Sequence, residues 1–158
     1  MQQLTTFTLI LGAISHITVI GGAAYEHLAV VPVWASAVPA SLTMFQGEYA
    51  LAAQRFWIPI HPVTLILLLS ALIFNWRTER RNFIAITLGG YIVVLVVTFL
   101  FFVPELIAIM QSSYSTTVDA DLTRRAKTWE TYSLVRLAGL ILMAIVLLFG
   151  LSKPAAKY

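Results

Sequence analysis

The sequence predicts an all-α integral membrane protein: an antiparallel four-helix bundle with an interfacial or re-entrant cap between helices one and two. Three observations carry this. Hydrophobic residues make up 59% of the 158 positions and charged residues only 11%, against about 45–50% and 25% in soluble domains. Mean hydropathy is +0.87. Four stretches are each long and apolar enough for a bilayer core, which needs about 20 residues. A soluble chain this small has too much surface to leave so few charges to cover it. A soluble enzyme and a disordered regulator are therefore excluded. The pI of 9.5 does not make a nucleic-acid binder, because the 10 Lys and Arg form no basic stripe. Cysteine is absent, which removes disulfides, thiolate metal sites and thiol chemistry.

The chain reads as a single transmembrane domain over residues 1–158, with spans at about 4–24, 57–76, 83–103 and 134–151. Helices are expected because lipid offers no partners for open backbone groups, and no stretch alternates as a barrel strand would. Span one has no basic segment before it and carries Ser15, His16 and Thr18 in its middle, so it reads as a retained helix and not a signal peptide. The segment Leu28 to Phe45 is apolar but broken by Pro32 and Pro39. It reads as the cap, with Trp34 at headgroup level. Spans two and three are joined by a tight basic hairpin, Arg77 to Asn82. Span three leaves through a Val103-Pro104-Glu105-Leu106 turn. Asp119 then N-caps a helix that runs into span four, with Asp121 and Arg125 paired at i,i+4. Gly12, Gly21, Gly22, Gly89 and Gly90 are expected to let helices approach closely. Trp34, Trp57, Trp76 and Trp129 fit interfacial belts first and a ligand pocket second.

Charge sets the orientation. Arg77, Arg80, Arg81, Lys153 and Lys157 lie on one side, and Arg55, Arg124, Arg125 and Lys127 on the other. The first set sits closest to span ends, which places the hairpin and both termini in the cytoplasm of a bacterial inner membrane or its equivalent.

Polar residues gather at the opposite end. Six of the seven acidic residues lie there: Glu26, Glu48, Glu105, Asp119, Asp121 and Glu130. So do His27 and His61, and each span contributes. Ionisable groups at membrane depth are costly and usually functional. In span three, Thr87, Tyr91, Thr98 and Glu105 share a helix face; in span four, Trp129 and Arg136 do. His16 aligns with His27 but lies about 16 Å deeper. It reads as hydrogen-bonded to a neighbouring backbone or hydroxyl group such as Thr98, with haem ligation as the remote alternative.

Two chemistries fit this cluster. His27 and His61 with Glu26 or Glu105 form a nitrogen and oxygen ligand set suited to iron, copper, manganese or zinc, although no ligand-spacing motif accompanies them. Alternatively, His27 and His61 act as bases, with Arg136 stabilising an anion and Trp129, Tyr91 and Glu48 lining the substrate pocket. The bland reading is that both histidines are interfacial polar residues and that Glu105 and Arg136 form an ion pair between spans three and four.

The Val103-to-Leu106 turn, the hydrophilic stretch after it, and Arg125-Ala-x-x-Trp129-Glu-x-x-x-x-Val135-Arg136 entering the last span resemble the anthrone oxygenase-like membrane family. The resemblance covers the chain in topology, and its motifs are short. The chain departs from the family pattern at Tyr132 and Ser133, where a polar residue or His often precedes the Arg, and at Glu105, where the family usually has Asn. The resemblance implies an oxygen-dependent monooxygenase acting on a hydrophobic aromatic substrate drawn from the bilayer, working with iron or copper or with no cofactor. The alternative is a non-catalytic membrane subunit, or a lipid- or metal-binding protein, joined to a larger complex or to copies of itself. A transporter would have to oligomerise, because the chain lacks inverted repeats.

Overall fold

The computed structural model describes residues 2–155 and is all-helical; no strand occurs among the described residues. Six α-helices follow in order: α1 (Gln2–Tyr25), α2 (Val31–Trp34), α3 (Gln54–Phe74), α4 (Arg81–Val97), α5 (Val103–Met110) and α6 (Ala120–Leu151). π-helical turns at Glu26–Val30 and Thr98–Phe102 join α1 to α2 and α4 to α5, and a 3-10 helix covers Ala40–Phe45. Four continuous helical runs are long and apolar enough to cross a membrane: Gln2–Trp34, Gln54–Phe74, Arg81–Met110 and Ala120–Leu151. The protein is an integral membrane four-helix bundle. The Lys157 of the charge argument lies outside the described residues.

Two of these runs are longer than the sequence suggests. Span one continues through His27 to Trp34, and Val103 to Leu106 lies inside a helix and not in a turn. The reason is the same in both places. A proline inside a helix lacks the N–H for its own bond, and its ring clashes with the carbonyl four residues back. Here a π turn directly precedes each Val-Pro pair, Glu26–Val30 before Val31-Pro32 and Thr98–Phe102 before Val103-Pro104. The wider turn re-spaces the backbone, and the helix passes through the proline instead of ending.

The chain packs as two compact units. The first takes the N-terminal segment through Gly21, then Gln54–Val93, then Ala138 onward. Polar cross-ties hold its helices in pairs. Ser15 and Thr64 hydroxyls meet at 2.7 Å and join α1 to α3. Buried Asn75 donates to the Thr5 carbonyl at 2.9 Å. His16, 0% exposed, donates through Nε2 to the Leu140 carbonyl on α6 at 3.0 Å. Thr87 donates to the Met143 carbonyl at 3.1 Å, joining α4 to α6. Arg80, at the hairpin, turns inward and donates to the Lys153 carbonyl at 2.8 Å and to Thr6 Oγ1 at 2.9 Å. Lipid supplies no hydrophobic drive between helices, so bonds like these, at about 0.6–2 kcal/mol each, carry part of the association.

Close packing supplies the rest, at Gly12 and Gly90 as expected and also at Gly150. A side chain at Gly12 would meet Leu68 at 3.4 Å, one at Gly90 would meet Met143, and one at Gly150 would meet Phe83 Cβ at 2.9 Å. Gly21 and Gly89 face open space and pack against nothing.

The second unit comprises Gly22–Ala53 and Val94–Leu137. Its core is Val31, Trp34, Ala35, Val38, Leu42, Phe102, Ile109, Ala126 and Trp129. Trp34 and Trp129 are therefore core residues and not headgroup anchors, at 2% and 5% exposure, with ring centroids 5.5 Å apart. Trp129 also donates its indole N–H to the Phe102 carbonyl at 2.9 Å. Val38–Pro39 is a cis peptide. Asp119 caps α6 as expected, accepting from the backbone N–H groups of Asp121 and Leu122 at 2.8 and 3.0 Å. Asp121, however, pairs with Arg124 at i,i+3, because Arg125 is engaged by Glu105.

Candidate functional site

The second unit assembles a polar cluster around Arg136. The guanidinium donates through Nη1 to Thr98 Oγ1 at 3.1 Å and through Nη2 to Ser133 Oγ at 2.8 Å. It also lies over the Phe102 ring, 4.3 Å from the centroid. Ser133 sits one turn before Arg136 on α6, and Thr98 opens the π turn of the facing run. Each acceptor is a neutral hydroxyl. A guanidinium has five N–H donors, and these two bonds engage two of its nitrogens. Glu26 lies near enough to act on it electrostatically.

His27 belongs to the same cluster. Its Nε2 is 3.0 Å from Ser133 Oγ, so imidazole and guanidinium share one hydroxyl. Ser133 is 1% exposed. His27 Nδ1 is buried with no hydrogen-bond partner among the described residues. Proton counting explains why this is costly. If Ser133 gives its proton to Nε2, the imidazole N–H sits at Nδ1 and has no acceptor. If Nε2 carries the proton, the Ser133 hydroxyl has none. Buried polar atoms are rarely left unpaired without a reason.

The first unit holds a second network. His61 Nδ1 is 2.7 Å from the Tyr91 hydroxyl, and Tyr91 is 0% exposed. Thr64 donates to the Ile60 carbonyl at 2.9 Å, so its oxygen accepts from Ser15. Trp57 stacks on His61 at 5.5 Å, and His16 meets the Tyr91 ring edge-on at 5.4 Å.

The other expected site residues fall elsewhere. Glu105 does not pair with Arg136. It holds Arg125 in a bidentate ion pair at 2.7 and 2.9 Å. Arg125 lies 11 residues before Arg136, about 16 Å along α6, and α5 places Glu105 at that level. His16 finds a backbone carbonyl as expected, that of Leu140, while Thr98 accepts from Arg136. Glu48 is exposed in the turn after the 3-10 helix. Among the described residues no three His, Asp or Glu side chains form a group that could hold a metal ion. His27 and His61 belong to different units, each with its own hydroxyl partner.

Ser133 and Phe102 enter the site without having been singled out as functional. The only signal for Ser133 was its i,i+3 spacing to Arg136; for Phe102 there was none. No protein-family model matches the chain, and neither does any curated protein or solved structure.

Proposed function

We propose that this integral membrane protein is an enzyme that binds a hydrophobic, acidic aromatic molecule at Arg136 and oxidises it with dioxygen, as the resemblance to the anthrone oxygenase-like family implies. The observation that carries the reading is the Arg136 guanidinium, held inside a membrane span by two neutral hydroxyls with an imidazole on one of them. A cation at membrane depth favours anionic neighbours; Glu26 acts on this one electrostatically, and a bound phenolate or enolate would add a second negative charge. His27 takes the acidic proton, and Arg136 holds the oxyanion as it forms. For an anthrone the balance is simple. The ring methylene loses two hydrogens and gains one oxygen atom, and the second oxygen atom leaves as water.

Oxygen uptake by purified protein supplied with an anthrone tests the reading. We expect turnover in the parent protein and a loss of at least a hundredfold in kcat for His27→Ala, with emodin binding retained. Equal rates in both proteins would remove His27 from the reaction.

A second reading, a non-catalytic subunit, draws on the open glycine faces at Gly21, Gly89 and Gly139, which suit contact with another helix. Co-purification of a stoichiometric partner in mild detergent, with no anthrone turnover, would favour it.

A further inference from the structure

Four residues of α6, Arg125, Trp129, Tyr132 and Arg136, are spaced 4, 3 and 4 and form one strip of the helix. Each meets a residue of the facing run 98–110. Arg125 pairs with Glu105. Trp129 packs on Phe102, with centroids 5.8 Å apart. Tyr132 tilts against Phe101 at 6.0 Å. Arg136 bonds Thr98. The seam between the two runs is thus charged at one end, aromatic along its middle and cationic at the other.

A groove of about 340 Å³ opens on this seam. Its walls are Phe101, Trp129 and Tyr132, and its rim is Glu105, Arg124, Arg125 and Thr128. That volume falls in the range of small-ligand sites, about 300–1,000 Å³. Arg136 is not part of the lining. It lies one turn beyond Tyr132, about 6 Å along the axis. Phe101 and Tyr132 are 39% and 53% exposed, on the surface of helical runs apolar enough to cross a membrane. The groove therefore combines aromatic walls for a flat ring system with a polar rim for its oxygen substituents.

Resting on the functional reading above, we propose that this groove is the port by which a planar aromatic acid passes from the bilayer to Arg136, with the Phe101 and Tyr132 rings as the partition between port and guanidinium. The Glu105–Arg125 pair forms the outer rim. Arriving acid slides between aromatic faces, displaces the ring pair, and exchanges bilayer for the Arg136 N–H groups.

The absence of cysteine makes the test clean. Tyr132→Cys and Val135→Cys are each labelled with N-benzylmaleimide; Val135 is 67% exposed on the same helix but off the strip. The probe is emodin, a hydroxylated tricyclic phenol, added to protein in nanodiscs, with association followed by tryptophan quenching. Labelling at Tyr132→Cys slows association at least tenfold, labelling at Val135→Cys changes it less than twofold, and Phe101→Ala, which opens the partition, speeds it several-fold. If emodin binding still depends on Arg136 but both labels act equally, or neither acts, or Phe101→Ala associates no faster, the port is overturned and the Arg136 reading stands. If emodin binds the parent protein and Arg136→Gln alike, both are overturned.

Discussion

Ser133 decides how the site behaves, because one hydroxyl serves two partners. It accepts from Arg136 at 2.8 Å and meets His27 Nε2 at 3.0 Å. Ser133→Ala removes both contacts and leaves a guanidinium N–H and an imidazole nitrogen unpaired in a buried position. Such a loss costs about 1–3 kcal/mol, and emodin affinity should fall about tenfold, as titration in nanodiscs would show. Ser133→Thr keeps the hydroxyl and should restore most of the binding. An alanine variant that binds as well as the parent would mean that Ser133 does not position Arg136. At this scale the sequence was informative about charge and poor about partners. Arg136 and His27 stood out because ionisable groups are expensive in a span. Ser133 did not, since a serine beside the start of an apolar span is ordinary. Glu105 was assigned the wrong arginine because both candidates lie on one face of α6, and only the level of α5 separates them.

Helix continuity is set by two π turns and contact by three glycines. Proline normally marks a boundary, so Pro32 and Pro104 argued for ends that the chain does not make. The π turns that absorb them leave no trace in apolar periodicity, since each spans only five residues. The capping of α6 by Asp119, by contrast, was legible, because a carboxylate acting on the first free N–H groups is a local event. Glycines behaved in between. Composition marks them as small, but only packing shows which have a neighbour. We expect Gly150→Ala to destabilise the protein by about 1–3 kcal/mol, since its new carbon would press on Phe83 Cβ, next to backbone. Gly90→Ala should cost less, because the Met143 side chain can move aside. Gly89→Ala, facing open space, should be neutral or stabilising by up to about 1 kcal/mol through helix propensity. Thermal unfolding of the three variants in one detergent checks the order; a Gly89→Ala as damaging as Gly150→Ala would contradict the packing.

At the scale of the whole molecule, the class was legible from composition alone: an 11% share of charged residues cannot cover a soluble surface of this size. The aromatic core was not. Trp34 and Trp129 flank apolar runs as interfacial tryptophans do, and only tertiary packing distinguishes the two fates. Orientation rests on the basic hairpin. Arg80, one of its three arginines, is turned inward to the Lys153 carbonyl, and burial lowers its pKa from the usual value. Arg77 and Arg81 remain exposed to act on the bilayer charge. We predict that a cysteine at Asn82 is labelled by an impermeant maleimide in inside-out vesicles and protected in right-side-out cells; the reverse pattern would invert the topology. The proposed function requires that Arg136 accept a bound anion in addition to the field of Glu26. The most direct measurement is the affinity of emodin for the parent protein and for Arg136→Gln in nanodiscs, with anthracene as the ring system that carries no acid. We predict that Arg136→Gln weakens emodin at least tenfold, about 1.4 kcal/mol or more, and leaves anthracene unchanged. Equal losses for both ligands, or none for either, would contradict an anion site at Arg136.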